Sequence, residues 1–282
     1  MRRLAHLSDL HFGRTDQAVV DGLAEALRAE RPDLIVISGD FTQRARRSEF
    51  AAAKAFVDQL EAPVFAVPGN HDIPAYQLLQ RFLDPYARYR QWIGPELEPV
   101  WRDDHLGIVG VNTARRAALE LNWSHGRVGR GQLKRTVERL EALPRDLFRI
   151  VVAHHPFLPP PDLPATRLVA RAEQALASFA RAGVGLVLSG HLHLTYSRRP
   201  VLESAVAQDG FAGTGGDGGG PLVVQAASAT STRLRGEPNA YNWITIADGR
   251  VTVEVRAWDG ERLFAVTSAA RRPDGVAAEK AA

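Results

Sequence analysis

Five apolar runs of strand type each end in a short polar cluster, and this repeated junction constrains the fold of the chain more than any other feature. Residues 4–7 lead to Asp9 and His11, residues 34–38 to Gly39-Asp40, and residues 64–67 to Gly69-Asn70-His71-Asp72. Residues 150–153 lead to His154-His155, and residues 186–189 to Gly190-His191-Leu192-His193. In an open α/β sheet, the loops leaving the carboxyl ends of the strands converge on one crevice. Such a fold gathers seven metal donors and one spare histidine from distant positions. Aspartate, asparagine and histidine without sulfur point to a two-metal hydrolase.

Between these junctions the sequence alternates strand and helix signals to about residue 195, which argues for helices packed on sheet faces. Val20, Leu23 and Leu27 form one helical stripe. Ser48 is an N-cap candidate ahead of Phe50, Ala53, Phe56, Val57 and Leu60. Leu133, Val137 and Leu140 mark a helix ended by Pro144, and Leu168, Ala172, Leu176 and Phe179 mark one ended near Gly183. Residues 73–95 carry Tyr76, Phe82, Tyr86, Tyr89 and Trp92, which suits an ordinary helix with a buried aromatic face or a cap over the site. Residues 114–130 read as a long loop. Residues 222–226, 243–247 and 251–258 read as antiparallel strands, the last two joined by a hairpin at Asp248-Gly249. The glycine-rich stretch 208–220 lacks the Lys-Ser/Thr of a phosphate loop and reads as a surface connection. The five clusters build one site, so the expectation is one domain over 1–268, followed by a polar tail over 269–282.

Composition removes several alternatives. The chain has no cysteine, which excludes disulfides, thiolate metal sites and cysteine nucleophiles. The formal charge is only +3, with 35 basic against 32 acidic residues, so composition makes no case for a nucleic-acid polymer as partner. No stretch approaches the length of a membrane span. No apolar signal segment stands ahead of Asp9, and the cytoplasm is the expected compartment.

The oxygen and nitrogen donors suit Mn²⁺ or Fe, with Zn²⁺ also compatible. Asp9 and His11 are two residues apart and face one side of an extended segment; His191 and His193 share that spacing and serve one metal or straddle two. Asp40, after the turn-forming Gly39, is the best placed bridge between two ions through its two carboxylate oxygens. Two such ions share a water and lower its pKa until hydroxide forms near neutrality. A nearby histidine that is not a ligand then stabilises charge or protonates the leaving oxygen. His71 fits that part, with Asp72 as a partner for its ring.

The ordered set Asp-x-His, Gly-Asp, Gly-Asn-His-Asp, His and Gly-His-x-His resembles the calcineurin-like metallophosphoesterases over residues 4–193. The resemblance implies a four-layer αββα sandwich of two mixed sheets, with the strands after Leu222 in the second sheet. It implies that Asp9, His11 and His193 hold one metal, that Asn70, His154 and His191 hold the other, that Asp40 bridges both, and that His71 is catalytic. Gly39-Asp40-Phe41-Thr42 lacks the Val-Asp-Arg-Gly extension of the serine/threonine protein phosphatases. The arrangement looks more like bacterial class III cyclic-nucleotide phosphodiesterases and glycerophosphodiesterases, among which dimers occur. The expected activity is therefore hydrolysis of a small phosphodiester by a metal-bridging hydroxide, with a cyclic nucleotide favoured. The alternatives are a UDP-diacylglucosamine-type pyrophosphatase, a phosphomonoesterase and a non-catalytic scaffold.

The remaining candidates read differently. His6 lies inside the first strand and is expected to be packed. His105 and His125 have no partner motif. His155 points away from the neighbouring ligand in an extended segment, with support of the metal ligands as the alternative. Arg233 and Arg235 follow the Ser/Thr-rich stretch 228–232, where solvated arginines are the ordinary case and contact with a substrate phosphate is the alternative.

Overall fold

A computed structural model describes residues 1–75, 77–115, 124–201, 220–261 and 264–266. The strands are β1 (Arg2–Leu7), β2 (Leu34–Ile37), β3 (Val64–Ala66), β4 (Val100–Arg102), β5 (Leu106–Val111), β6 (Phe148–Ala153), β7 (Val184–Ser189), β8 (Tyr196–Arg198), β9 (Leu222–Gln225), β10 (Ala240–Ala247), β11 (Arg250–Trp258) and β12 (Phe264–Val266). The helices are α1 (Gln17–Glu30), α2 (Arg47–Asp58), α3 (Leu78–Leu83), α4 (Ala87–Trp92), α5 (Arg130–Glu141) and α6 (Ala172–Arg181). They form two mixed sheets, in the orders β12-β11-β10-β1-β2-β3 and β4-β5-β6-β7-β9-β8.

Period-two alternation fixes the layering. Leu4, Leu34, Val36, Ile150, Val152, Leu186 and Leu188 meet in the apolar layer between the sheets. The residues between them face outward: Leu7, Ile35 and Ile37 pack with α1 and α2, and Val151 and Val187 with α5 and α6. The result is the expected αββα sandwich. The same alternation points His6 inward, where it is fully buried between Ser38 and Asn242. Strands β1, β2 and β3 run parallel, as do β5, β6, β7 and β9. The carboxyl ends of both parallel sets meet at one end of the sandwich, where His154 Nδ1 lies 2.8 Å from Ser38 O across the seam between the sheets.

Several expectations change. The strands after Leu222 divide between the sheets. β9 runs parallel to β7 in the second sheet, whereas β10, β11 and β12 extend the first. Its neighbour β8, too short to show periodicity, supplies the antiparallel pairing. The β10–β11 hairpin forms as expected, with positive φ at both Asp248 and Gly249, as a tight primed turn requires. Ser48 is not the cap of α2. Glu49 accepts from the backbone N–H of Arg44 and Arg46 (2.7 and 3.1 Å), which starts the helix at Arg47. Helix α6 starts at Ala172, leaving Leu168 outside it, because Arg171 adopts a left-handed conformation.

Segment 73–95 forms two short helices rather than one. Tyr86 and Tyr89 supply a buried aromatic face against the first sheet, while Phe82 is exposed. Tyr76, residues 116–123 of the loop 114–130 including Trp123, nearly all of 208–220 and the tail 269–282 lie outside the described residues.

Candidate metal centre

The loops leaving β1 and β2 run side by side. Asp9 N–H donates to Gly39 O (3.1 Å), His11 N–H to Asp40 O (3.0 Å) and Phe12 N–H to Phe41 O (2.9 Å). The local geometry is not the extended segment expected from the Asp-x-His spacing. Asp9, His11, Asp40, His191 and His193 all have positive φ, between 52° and 78°. Left-handed backbone is costly for residues with a Cβ and persists where the surroundings over-determine it. Here it aims side chains at the seam while Leu10 between two of them stays fully buried. Gly39, at φ 100°, makes the sharp exit from β2, and a Cβ there would lie 2.7 Å from the His154 ring.

Two donor clusters result. In the first, His11 Nε2 and His193 Nε2 are 3.1 Å apart, and Asp9 Oδ1 lies 3.5 and 3.2 Å from them. His11 Nδ1 faces Thr42 O (3.3 Å) and His193 Nδ1 faces Arg233 O (2.9 Å). A carbonyl only accepts, so each ring carries its proton on Nδ1 and turns the Nε2 lone pair inward. Asp9 Oδ1 is buried and receives no aligned hydrogen bond. Three electron-rich atoms this close require a proton or a cation among them. In the second cluster, His154 Nε2 lies 3.2 Å from both Asp40 Oδ2 and Asn70 Oδ1, with its Nδ1–H given to Ser38 O. The His191 ring centroid lies 5.2 Å from that of His154.

Asp40 joins the two clusters, but not through both oxygens. Oδ1 accepts the His71 backbone N–H at 2.8 Å. Oδ2 alone faces both sides, 3.2 Å from His154 Nε2 and 3.8 Å from His11 Nε2. One Asp40 oxygen, rather than two, thus faces both clusters.

The electrostatics agree. Burial opposes ionisation of Asp9, yet His193 and His11 hold its carboxyl well below the usual range. Asp40 is likewise lowered, by His154 and His71, against the effect of burial. Burial alone would lower His154, but Asp40 lifts it to about 9. Burial and the His154 charge push His191 down to about 3. Two ionised carboxylates thus sit fully buried among imidazoles. Without a cation, a proton on His154 would balance Asp40; a divalent ion held there would take that place. The orphaned Asp9 oxygen, the inward lone pairs and the sulfur-free donor set all fit divalent metal.

His71 sits at the edge of the first cluster, its ring centroid 4.8 Å from that of His11 in an edge-on contact. Its Nδ1–H donates to Gln43 O (2.8 Å), which turns Nε2 away from that loop. Asp72 does not hold this ring. Its Oδ1 accepts from Thr42 N–H and Oγ1–H (3.0 and 3.1 Å), and its Oδ2 from Gly69 N–H (2.9 Å). It braces the β2 and β3 loops from beneath, where burial and the Asp40 charge raise its pKa to about 7.

Sequence reasoning missed Gln43, Thr42 and Thr113, none of which carries a motif. Thr113 matters through His155. The His155 ring is buried, its centroid 4.6 Å from that of His191 at a tilt of 43°, with Nδ1 facing Thr113 Oγ1 and Nε2 donating to Ser124 O (2.8 Å each). Both nitrogens are engaged, so it supports His191 rather than pointing away from the site. His105 lies far away, in the β4–β5 turn at the opposite end of the sandwich. The 228–239 loop wraps the first cluster: Ser228 and Thr230 hydroxyls donate to Asp9 O and Leu10 O (2.7 and 2.6 Å), and Arg233 O accepts the His193 Nδ1–H hydrogen bond. The Arg235 charge acts on both His191 and His193.

The family profile described as calcineurin-like phosphoesterase matches residues 2–194. A glycerophosphodiester phosphodiesterase GpdQ of Enterobacter lignolyticus is 36% identical over 81 residues, 24% of this chain and 29% of that protein. A probable cyclic nucleotide phosphodiesterase of Synechococcus sp. is 25% identical over 209 residues, 68% of this chain and 74% of that protein. The chain therefore spans less than a third of the GpdQ relative. Purple acid phosphatase PPD1 of yellow lupin superposes with a TM-score of 0.68 at 12% identity, over 94% of this chain and 53% of that one, a likeness of fold alone.

Proposed function

Because the chain belongs to the calcineurin-like phosphoesterases, a family of metal-dependent phosphoric ester hydrolases, we propose that it is a binuclear phosphodiesterase. Its substrate is a small phosphodiester, with a cyclic nucleotide favoured. The observation that carries this reading is the position of Asp40 Oδ2 between two clusters of inward-facing lone pairs. Asp9, His11 and His193 would hold one divalent ion, Asn70, His154 and His191 the other, and Asp40 both. Two cations there would supply a water activated near neutral pH and offset the charge of the phosphoryl oxygens.

The chain's own groups do the rest. Carbonyls of Thr42, Arg233 and Ser38 fix the ring tautomers, so the ligating nitrogens need no reorganisation during turnover. His71, oriented by Gln43 O, places Nε2 at the edge of the site, where it delivers a proton to the leaving oxygen. Asp72 contributes by holding the two loops together rather than by proton transfer. Support for a diester comes from the two relatives named as phosphodiesterases and from the lack of the protein-phosphatase extension after Asp40.

The test is hydrolysis of bis(p-nitrophenyl) phosphate beside p-nitrophenyl phosphate after Mn²⁺ reconstitution, with Asp40→Asn as blank. Preference for the diester is expected. Preference for the monoester makes the protein a phosphatase, and inactivity on both with metal bound favours a lipid-type pyrophosphate substrate or a scaffold.

A further inference from the structure

The rim of the site carries an exposed apolar face that the proposed chemistry does not use. Helix α3 reads Leu-Leu-Gln-Arg-Phe-Leu. Leu78, Leu79, Phe82 and Leu83 fall at helical spacing on one side, and all are exposed, Leu79 and Leu83 by three quarters of their surface. The opposite side is anchored by Arg81, buried, with its guanidinium on Pro74 O and Arg115 O (3.0 and 3.2 Å). The helix thus puts its charged residue inward and its leucines outward, the reverse of a surface helix with no partner.

Arginines flank this face. Arg88 donates to Ala45 O (2.5 Å) and to Gln77 Oε1 (2.6 Å), which ties the loop before α2 to the start of α3. The exposed Arg46 and Arg47 follow Ala45 at that junction, and the Arg47 charge acts on Arg88. Of the nearby acids, Asp84 is taken by Arg90; Glu49 is held by the backbone of its own loop and also lies 3.9 Å from Arg46, which leaves Arg47 as the freer charge. Across the site, a chain of contacts runs from His71 through His11 and His193 to Arg233. There Leu234, again exposed, stands between Arg233 and Arg235.

We propose that this face docks on an anionic lipid bilayer, with Leu78, Leu79, Phe82 and Leu83 entering the interface and Arg46, Arg47 and Arg88 meeting the headgroups. Aliphatic side chains rimmed by cations match the two parts of such an interface. The same charges disfavour a second copy of this chain, since a two-fold contact through one patch sets like charges opposite each other. A nucleic acid uses the arginines and stacks a base on Phe82, but it leaves Leu78, Leu79 and Leu83 without a partner, because aliphatic side chains do not stack on bases. Docking sets the mouth of the metal centre toward the bilayer surface. It is independent of which ester the site cleaves.

Flotation of the full chain with vesicles tests this, using phosphatidylcholine alone and phosphatidylcholine mixed with phosphatidylglycerol. The chain is expected to float with the mixed vesicles, and less so as salt is added. Leu79→Glu with Leu83→Glu is expected to lower the partition by about tenfold or more, while turnover of a water-soluble diester stays unchanged. If that variant misfolds, Arg46→Gln with Arg47→Gln decides in its place, with a several-fold loss expected. Absence of flotation at low salt overturns the proposal, as does equal flotation of wild type and the folded variants. A wild-type dimer in sedimentation that the leucine variant splits, without flotation of either, assigns the face to a second copy instead.

Discussion

Replacing Gly69 by alanine separates the position of Asp40 from its charge. Gly69 is not in the left-handed region, so the substitution carries no backbone strain of its own. Its Cβ would stand 2.1 Å from Asp40 Oδ1 and 2.4 Å from Asp40 N, where ordinary contact begins at 3.4 Å. Asp40 must therefore move by roughly 1 Å, and part of what must move is backbone. Oδ1 cannot yield alone, because it holds the His71 N–H, and Oδ2 is the one atom facing both clusters. The overpacking is expected to cost about 1–3 kcal/mol of stability. A shift of that size in a reacting constellation is expected to lower kcat by roughly a hundredfold. The assay is diester turnover with Mn²⁺ beside thermal unfolding. Gly94→Ala is the control, since nothing lies within 4 Å of the added carbon and stability and turnover should be unchanged. Wild-type turnover in Gly69→Ala would refute the claim that Asp40 must sit where it does.

Three further outcomes follow from named contacts. His71→Ala should fold and retain its metal yet lose roughly a hundred- to ten-thousand-fold in kcat, as expected of a proton donor; loss of metal would instead make His71 a ligand. Asp72→Asn sets an amide N–H against either Gly69 N–H or Thr42 N–H. It should cost about 1–3 kcal/mol by urea unfolding, and unchanged stability would remove Asp72 as a brace. His6 is lowered from 6.5 to about 3 by burial, partly offset by Asp9. Its contribution is therefore complete above pH 6.5 and is lost as pH falls toward 3, because only the unfolded chain takes up the proton. At pH 5 that amounts to about 2 kcal/mol. His6→Gln should flatten the acid limb of stability against pH, and parallel limbs for variant and wild type would contradict it.

The site was readable because it lies at strand ends, where an apolar run stops abruptly at a polar residue. The continued alternation of β6 turns His154 inward after Ile150 and Val152, so a pattern in the strand reports on the ligand after it. The loops carry no such period. Nothing in Asp9-x-His11 announces a left-handed backbone, because its stabilisation comes from residues 30 and 220 positions away, Asp40 O and the hydroxyls of the 228–232 stretch. The Asp72 misreading has the same origin: adjacency to His71 suggested contact, whereas successive side chains diverge and Asp72 turned to Thr42 and Gly69. β9 was legible as a strand of the second sheet but not as a parallel one, since a four-residue apolar run is compatible with parallel or antiparallel pairing. The exposed face of α3 escaped notice because aromatic content drew attention to Tyr86 and Tyr89, which are buried, rather than to the leucines, which are not.

The central claim is that two cations share Asp40, and metal content tests it most directly. The protein is reconstituted with Mn²⁺, freed of excess ion and subjected to elemental analysis, wild type beside Asp40→Asn. Two ions per chain in the wild type, with loss from both sites in the variant, is the predicted result. A wild type that holds one ion or none, or an Asp40→Asn variant that keeps two, would contradict it.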